Sequence, residues 1–125
     1  MIHFISGHLD LTADELAAHY EPRIRAAAEA GHAFVVGDAR GADQMAQQIL
    51  HRIGARATVF HMFAAPRHNE GAFPTRGGFT SDADRDAALT AASDADIAWV
   101  RPGREKSGTA KNLKRRAELA RGGTG

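Results

Sequence analysis

A glycine-rich stretch that also carries carboxylates and an arginine is the part of this sequence best suited to chemistry. It reads Val35-Val36-Gly37-Asp38-Ala39-Arg40-Gly41-Ala42-Asp43 and joins a short apolar run to an amphipathic helical pattern. Such a junction directs free backbone N–H groups and the positive end of a helix dipole at one point, which suits a phosphate. Gly37 and Gly41 permit close backbone approach, and Arg40 offers paired donors to an anion. The glycines are equally compatible with a plain turn, so the interpretation depends on the other loops.

Two further loops carry groups of the same kind. Ser6-Gly7-His8 ends the first apolar run, and Gly103-Arg104-Glu105-Lys106-Ser107-Gly108-Thr109 precedes the last helical pattern. The N–H groups at the start of a helix are free to bind an anion. His8 could bond a base or a phosphate, or it could cap its turn. Ser107 and Thr109 could contact a ligand or serve as helix N-caps.

These loops supply the candidate site residues. The candidate ligand-binding residues are Ser6, Gly7, His8, Gly37, Asp38, Ala39, Arg40, Gly41, Asp43, Gly103, Ser107, Gly108 and Thr109. The candidate catalytic carboxylates are Asp38, Asp43 and Glu105, since a carboxylate can assist water attack if desolvation raises its pKa. Asp38 and Asp43 could instead accept hydrogen bonds from ribose hydroxyls.

Composition and motif spacing exclude several classes of site. The chain has 125 residues, a net charge of +1 and no cysteine, which excludes disulfides and thiolate metal sites. Its histidines are scattered without metal-ligand spacing, and the glycines match neither a Walker A loop nor G-x-G-x-x-G. We therefore expect no metal and no cofactor. With no apolar run of membrane length and no leader pattern, we expect one cytoplasmic domain over residues 1–125 that does not contact a membrane.

The elements that must position these loops follow from periodicity and capping. Apolar runs predict strands at residues 2–6, 33–36, 57–63 and 97–100. Thr12 and Glu15 form a capping box for a first helix, which Pro22 should kink or break. Ser81 is the predicted N-cap of a helix to about residue 93. The inner face of the last helix should consist of Ala110, Leu113, Ala117 and Ala120. Residues 122–125 should form a frayed tail.

Residues 64–80 have no periodicity and contain several glycines and prolines. A loop of this length is often functional. Its polar side chains (Arg67, His68, Asn69 and Arg76) could close over a ligand, or the loop could be mobile surface.

The alternation of strands and helices predicts an α/β fold with right-handed crossovers. We expect a Rossmann-like three-layer α/β/α sandwich with a mainly parallel sheet of four to five strands in the order 3-2-1-4. In such sheets ligands bind outside the carboxyl ends of the strands, where the strand order reverses. The three glycine-containing loops should therefore meet at one crevice that holds a phosphate-bearing ligand.

In these motifs the chain resembles the SLOG superfamily, which groups the DprA/SMF DNA-processing proteins, the LOG cytokinin-activating enzymes and the small YspA/YpsA-like proteins. The most specific element is the Gly-x-Ala-Arg-Gly-Ala-Asp string from Gly37 to Asp43, which is nearest the YspA/YpsA-like branch. The resemblance covers roughly residues 2–119. It implies a Rossmann-like domain that binds a nucleotide or a nucleotide-derived ligand and that forms a homodimer.

The resemblance leaves three functions open. LOG enzymes carry P-G-G-x-G-T-x-x-E, and Asn112 stands here where the glutamate that takes part in glycosidic cleavage would fall. Asn112 is therefore a further candidate binding residue. A module that binds a nucleotide, for example as a sensor, is the leading hypothesis, and a LOG-like hydrolase that cleaves the N-glycosidic bond of a nucleoside monophosphate is the alternative. A third hypothesis is a DprA-like nucleic-acid interaction through Lys111, Lys114, Arg115, Arg116 and Arg121, against which the scarcity of exposed aromatic residues for base stacking argues.

Overall fold

A computed structural model describes residues 1–122 of the chain. Five parallel strands form one sheet in the order β4-β3-β2-β1-β5. The strands are β1 (Ile2–Ile5), β2 (Ala33–Gly37), β3 (Ala57–Phe60), β4 (Thr75–Arg76) and β5 (Ala95–Ile97), and the helices are α1 (Ala13–His19), α2 (Glu21–Glu29), α3 (Ala42–Arg52), α4 (Asp82–Ala91) and α5 (Gly108–Gly122). The fold is a Rossmann-like three-layer sandwich, and the predicted order of the four longer strands is confirmed.

Two strand boundaries differ from the prediction. The last strand covers Ala95–Ile97 rather than residues 97–100, because its pairing with β1 ends when Ser6 donates its backbone N–H to the Ile97 carbonyl at 3.2 Å. Beyond it, the Trp99 N–H donates to the Tyr20 hydroxyl at 3.0 Å instead of to a neighbouring strand. β3 ends at Phe60 rather than at residue 63.

The sequence predicts no regular structure for residues 64–80, but this loop contains a short strand. Thr75 and Arg76 form the edge strand β4, which pairs with Val59 and Phe60 of β3. Two residues are too few to show a strand period, so this element has no sequence signal.

The predicted helix signals in the first half of the chain are confirmed. The Thr12–Glu15 capping box is complete, and the helix breaks at Tyr20 with Pro22 in the first turn of α2. Tyr20 is fully buried, and its hydroxyl donates to the Ser6 carbonyl at 2.8 Å. Tyr20, at the break between α1 and α2, therefore anchors the loop after β1 to the helical layer.

The sheet is covered unequally on its two faces. The larger apolar cluster lies on the side of α1, α2 and α3 and includes Ile5, Val36 and Val59. The smaller cluster contains Phe4, Val35, Phe60 and Leu89 and lies on the side of α4. The alternation of side chains along each strand thus divides the core into two parts.

The inner face of α5 differs from the prediction. Thr109 and Asn112 are buried, whereas Ala117 and Ala120 are exposed. Arg116 turns toward the sheet, where it donates to the Ser93 carbonyl at 2.9 Å and pairs with Asp96 at 3.1 Å. The polar contacts of Arg116 therefore hold α5 against the edge of the sheet. Of the predicted frayed tail, Gly122 is the last residue of α5 and residues 123–125 lie outside the described part of the chain.

None of the helices within residues 1–122 combines the length and the apolar character that crossing a bilayer requires.

Candidate functional site

The loops after β1, β2 and β5 meet at one cavity of about 300 Å³ at the carboxyl edge of the sheet. Most of the predicted binding residues line it: Ser6, Gly7, His8, Gly37, Ala39, Asp43, Ser107, Gly108, Thr109 and Asn112. The remaining wall comes from Arg67, from Asp82, Arg85, Asp86 and Leu89 of α4, and from Phe4, Leu9 and Arg104. The cavity lies where the strand order reverses, between β1 and β5.

Four predicted binding residues do not line the cavity. Asp38 is fully buried, and Arg40 points outward and is exposed. Gly41 packs against the loop after β1, and Gly103 occupies a turn with φ of 88°. The structure therefore brings the three loops together but leaves the Arg40 side chain outside the cavity.

The absence of a side chain at Gly37 creates the floor of the cavity. A Cβ at this position would lie 2.5 Å from Oδ2 of Asp43 and 3.4 Å from Cζ of Arg85. Asp43, in the first turn of α3, therefore fills the space above the end of β2, where its Oδ2 accepts the Ala39 N–H at 3.1 Å. Glycine is required at position 37 because a side chain there would collide with the Asp43 carboxyl, and not because the backbone has a conformation that favours glycine.

Asp43 is the most perturbed carboxyl of the site. Its residue surface is only 8% exposed. Burial raises its pKa to about 7, and the charges on Asp86 and Asp38 act in the same direction, against the opposing effects of Arg85 and the Ala39 N–H. A carboxyl in this state exchanges its proton near neutral pH, which makes it suited to general acid chemistry.

Asp38 has a different role from the catalytic one considered above. Its carboxylate accepts the Arg67 N–H at 2.8 Å, pairs with the Arg67 guanidinium at 2.9 Å and pairs with Arg85 at 3.1 Å. Burial alone would raise the pKa of Asp38, but the hydrogen bonds from Arg67 and the two guanidinium charges hold it below its ordinary value. Asp38 is thus an ionised anchor that places two arginines beside the cavity.

Glu105, the third predicted catalytic carboxylate, is exposed and does not line the cavity. Its side chain accepts the Gly103 N–H at 3.0 Å and so closes the turn before α5.

Helix α4 contributes the residues that the sequence analysis missed. Arg85 is almost fully buried and bridges Asp38, Asp82 and Asp86. Asp86 accepts a hydrogen bond from the Asn112 amide at 3.3 Å. A carboxylate from α4 therefore lies next to Asn112 in the cavity wall. In sequence, Asp82-Ala83-Asp84-Arg85-Asp86 has the pattern of a solvated helix surface, which hides this role.

The first turn of α5 lines the cavity and is open to it. Ser107 caps the helix, since its Oγ accepts the Ala110 N–H at 3.2 Å. A Cβ at Gly108 would meet no atom within 4 Å, so the space above the first turn is free. Ser6 is 5% exposed and its Oγ has no hydrogen-bond partner among residues 1–122. An unsatisfied buried hydroxyl in a polar cavity is a ready ligand contact.

His8 connects the cavity to Trp99. Its Nε2 accepts the Arg101 N–H at 2.9 Å, and its ring packs edge-on against Trp99 with the centroids 6.1 Å apart. Burial and the charges on Arg104 and Arg101 lower the pKa of His8, so its ring is neutral near neutral pH. Since Trp99 is the only tryptophan, its fluorescence can report events at the cavity.

The loop over residues 64–80 is held down by α3. The amide of Gln47 donates to the carbonyls of Gly37 at 2.9 Å and His68 at 3.1 Å, and its oxygen accepts the Glu70 N–H at 2.8 Å. Of the polar side chains singled out on this loop, Arg67 alone lines the cavity. Among residues 1–122, no three potential metal-ligating side chains are grouped as a metal site requires.

Protein-family models, curated protein sequences and solved structures gave no match to this chain.

Proposed function

We propose that this chain is a SLOG-type domain that binds a nucleotide or a nucleotide-derived ligand in the cavity at the carboxyl edge of its sheet. The observation that carries the proposal is the convergence of three glycine-containing loops on one cavity whose wall includes the open first turn of α5. Backbone N–H groups and the helix dipole at that turn favour a phosphate. Arg104, at the rim, adds a positive charge.

The remainder of the cavity suits the sugar and the base. The Ser6 hydroxyl and the Asp86 carboxylate offer hydrogen-bond partners to ribose hydroxyls. Leu9 is 52% exposed at the rim and provides an apolar contact for a base. A volume of about 300 Å³ matches the lower end of ligand pockets, so the base would lie partly outside.

The Gly108→Ala variant tests this proposal. The added methyl group meets no protein atom, and alanine favours helix over glycine, so the midpoint of thermal unfolding should be unchanged or higher. The same methyl group would occupy the space nearest the free N–H groups of α5, so AMP affinity should fall about tenfold. Fluorescence of Trp99 or isothermal titration calorimetry measures the affinity.

Lys111→Ala is the matched control, because Lys111 is exposed on the same helix and does not line the cavity. This control should bind AMP within about twofold of the parent, since an exposed charge contributes little at physiological salt. Equal AMP affinities for Gly108→Ala and the parent would contradict phosphate binding at this turn. Absence of any thermal shift with AMP, ADP, cyclic AMP and ADP-ribose would contradict the proposed function as a whole.

Hydrolysis of an N-glycosidic bond is a second candidate function, and the pairing of Asp43 with Asp86 in one cavity favours it. Asp43, as the protonated acid, would give its proton to the leaving base nitrogen as the C–N bond breaks. Water would bond to the anomeric carbon and release its proton to the Asp86 carboxylate, which yields the free base and the sugar phosphate.

Chromatography of AMP after incubation with the protein decides between binding and turnover. If the chain is a hydrolase, Asp43→Asn and Asp86→Asn should each reduce the release of adenine at least about a hundredfold. Glu105→Gln should leave the rate unchanged, because Glu105 lies outside the cavity. Failure of the parent protein to release any base would leave binding alone.

A further inference from the structure

We propose that the Asp43 carboxyl binds an anionic ligand in its protonated form, as a hydrogen-bond donor, so that the anion and a proton enter the cavity together. This inference rests on the proposed function and adds to it a residue that makes ligand binding dependent on pH.

The position of Asp43 carries the first step. Its carboxyl group occupies the space that a side chain at Gly37 would fill, and it lines the cavity directly. Its Oδ2 accepts one backbone hydrogen bond, from Ala39. In parallel register Ile5 lies beside Val36, so Ser6 follows next to Gly37 and its unpartnered hydroxyl lies near the same floor. Asp43 is therefore open to contact by a ligand in the cavity.

The acidic groups around Asp43 oppose a further negative charge. Asp82 and Asp86 line the same cavity from α4, and Asp38 lies just behind its wall. An anion that entered beside an ionised Asp43 would face a like charge in a partly desolvated space, which is costly.

The nearby arginines do not neutralise Asp43 by direct contact. Arg85 pairs with the three other aspartates, and Arg67 pairs with Asp38 and more distantly with Asp82 at 3.7 Å. Arg104, at the opposite rim, is 3.6 Å from Asp10. The positive charge that lines the cavity is thus largely matched by carboxylates other than Asp43.

The two remaining titratable neighbours stay neutral in the relevant range. The pKa of His8 is lowered, chiefly by burial. Burial raises the pKa of Tyr20 to about 12, and its hydroxyl donates to the Ser6 carbonyl. Asp43 is therefore the group at the cavity that changes its charge near neutral pH.

Protonation of Asp43 removes the charge repulsion between its carboxylate and a bound anion. With burial holding the pKa of Asp43 at about 7, little free energy is needed to add the proton. The protonated carboxyl has one O–H donor, which a phosphate oxygen can accept. An anion in contact with that donor raises the pKa further, and by linkage the anion binds more tightly as the pH falls.

The test is a titration of the full chain with AMP at about pH 7 and about pH 9, a range in which the AMP phosphate stays a dianion because its second pKa is about 6. The dissociation constant of the parent should rise about 50-fold between the two pH values, as required when only the protonated carboxyl binds. The Asp43→Asn variant keeps a hydrogen-bond donor on a side chain of the same shape. Its dissociation constant for AMP should therefore change less than about threefold between the two pH values. Calorimetry at about pH 8 in two buffers of different ionisation enthalpy should show uptake of about one proton per AMP by the parent and none by the variant.

Each outcome is decisive. A parent affinity that is equal at both pH values overturns the inference and leaves the proposed function standing. A variant that binds AMP more than about tenfold more weakly than the parent at pH 7 also overturns it, because Asp43 would then act as an ionised acceptor. If neither AMP nor sodium sulfate binds at either pH, the proposed function fails and the inference fails with it.

Discussion

Replacement of Gly41 by alanine should lower the free energy of unfolding by about 3 to 5 kcal/mol. Gly41 precedes α3 with φ of 74° and ψ of −125°, a region that L-residues rarely adopt. An added Cβ would collide with the Leu9 carbonyl oxygen and would lie 2.6 Å from the His8 carbonyl oxygen. Both are backbone atoms, so no side-chain rotation can relieve the contact.

The collision would also separate two of the loops that form the cavity. The Ala42 N–H donates to the His8 carbonyl at 3.1 Å and joins the loop after β1 to the start of α3. Gly41→Ala should therefore lose AMP binding together with stability. Urea denaturation followed by Trp99 fluorescence measures the loss.

Gly54→Ala is the matched control for the backbone effect. Gly54 has φ of 68°, close to that of Gly41, but an added Cβ there would meet nothing within 4 Å. Its cost should be about 1 kcal/mol, which is the strain of the backbone alone. An equal loss of unfolding free energy in Gly41→Ala and Gly54→Ala would contradict the steric collision at Gly41.

The second large effect is the dependence of stability on pH through Asp43. The folded-state pKa of about 7 lies above the ordinary aspartate value of 3.8, so in the pH range between them the folded protein retains a proton that the unfolded chain has released. Between these two values stability falls as the pH rises, because only the unfolded carboxyl ionises freely. Below both values the carboxyl is protonated in each state and contributes no difference.

Asp43→Asn should remove this dependence. The difference in unfolding free energy between the parent and Asp43→Asn should change by about 3 kcal/mol between about pH 5 and about pH 8, in favour of the variant at the higher pH. The difference is the useful quantity because the lowered pKa values of His3 and His8 act in the opposite sense, with stability rising as the pH approaches the ordinary histidine value. Both histidines are present in both proteins and cancel. Parallel pH profiles for the two proteins would show that Asp43 is ionised in the folded state throughout.

Local sequence patterns predicted the scaffold well. The capping box at Thr12, the break near Pro22 and the N-cap at Ser81 each depend on contacts within four residues, so their patterns survive in the sequence. The order of the longer strands follows from the short connections and the handedness of the crossovers. The convergence of the three loops follows in turn from that order, which is why most of the predicted binding residues lie together.

The polar half of the cavity could not be predicted, because contacts between distant residues create it. Buried Arg85 pairs with Asp38, which is 47 positions away in the chain. Asp86 lines the cavity because α4 packs beside α5 and brings it to Asn112. Neither residue has a periodic or motif signal, and a charged helix segment usually faces solvent. Conversely, Arg40 lies in the best motif of the sequence, yet the turn directs it outward.

Asp38 and Asp43 show how burial and partners separate two carboxylates that look alike in sequence. Asp38 has two guanidinium partners and stays ionised, whereas Asp43 has one backbone donor and holds its proton more firmly. Asp38 therefore anchors the cavity wall through its two arginines, whereas Asp43 is the carboxyl that lines the cavity.

The most direct test of the account is a titration of the ¹⁵N-labelled protein with AMP, followed by NMR of the backbone amides. The largest shift changes should fall on the amides of Gly7, His8, Ala39, Gly108 and Thr109, which belong to the three loops at the cavity. The absence of shift changes, or changes centred on the exposed basic face of α5 around Lys111 and Lys114, would contradict it.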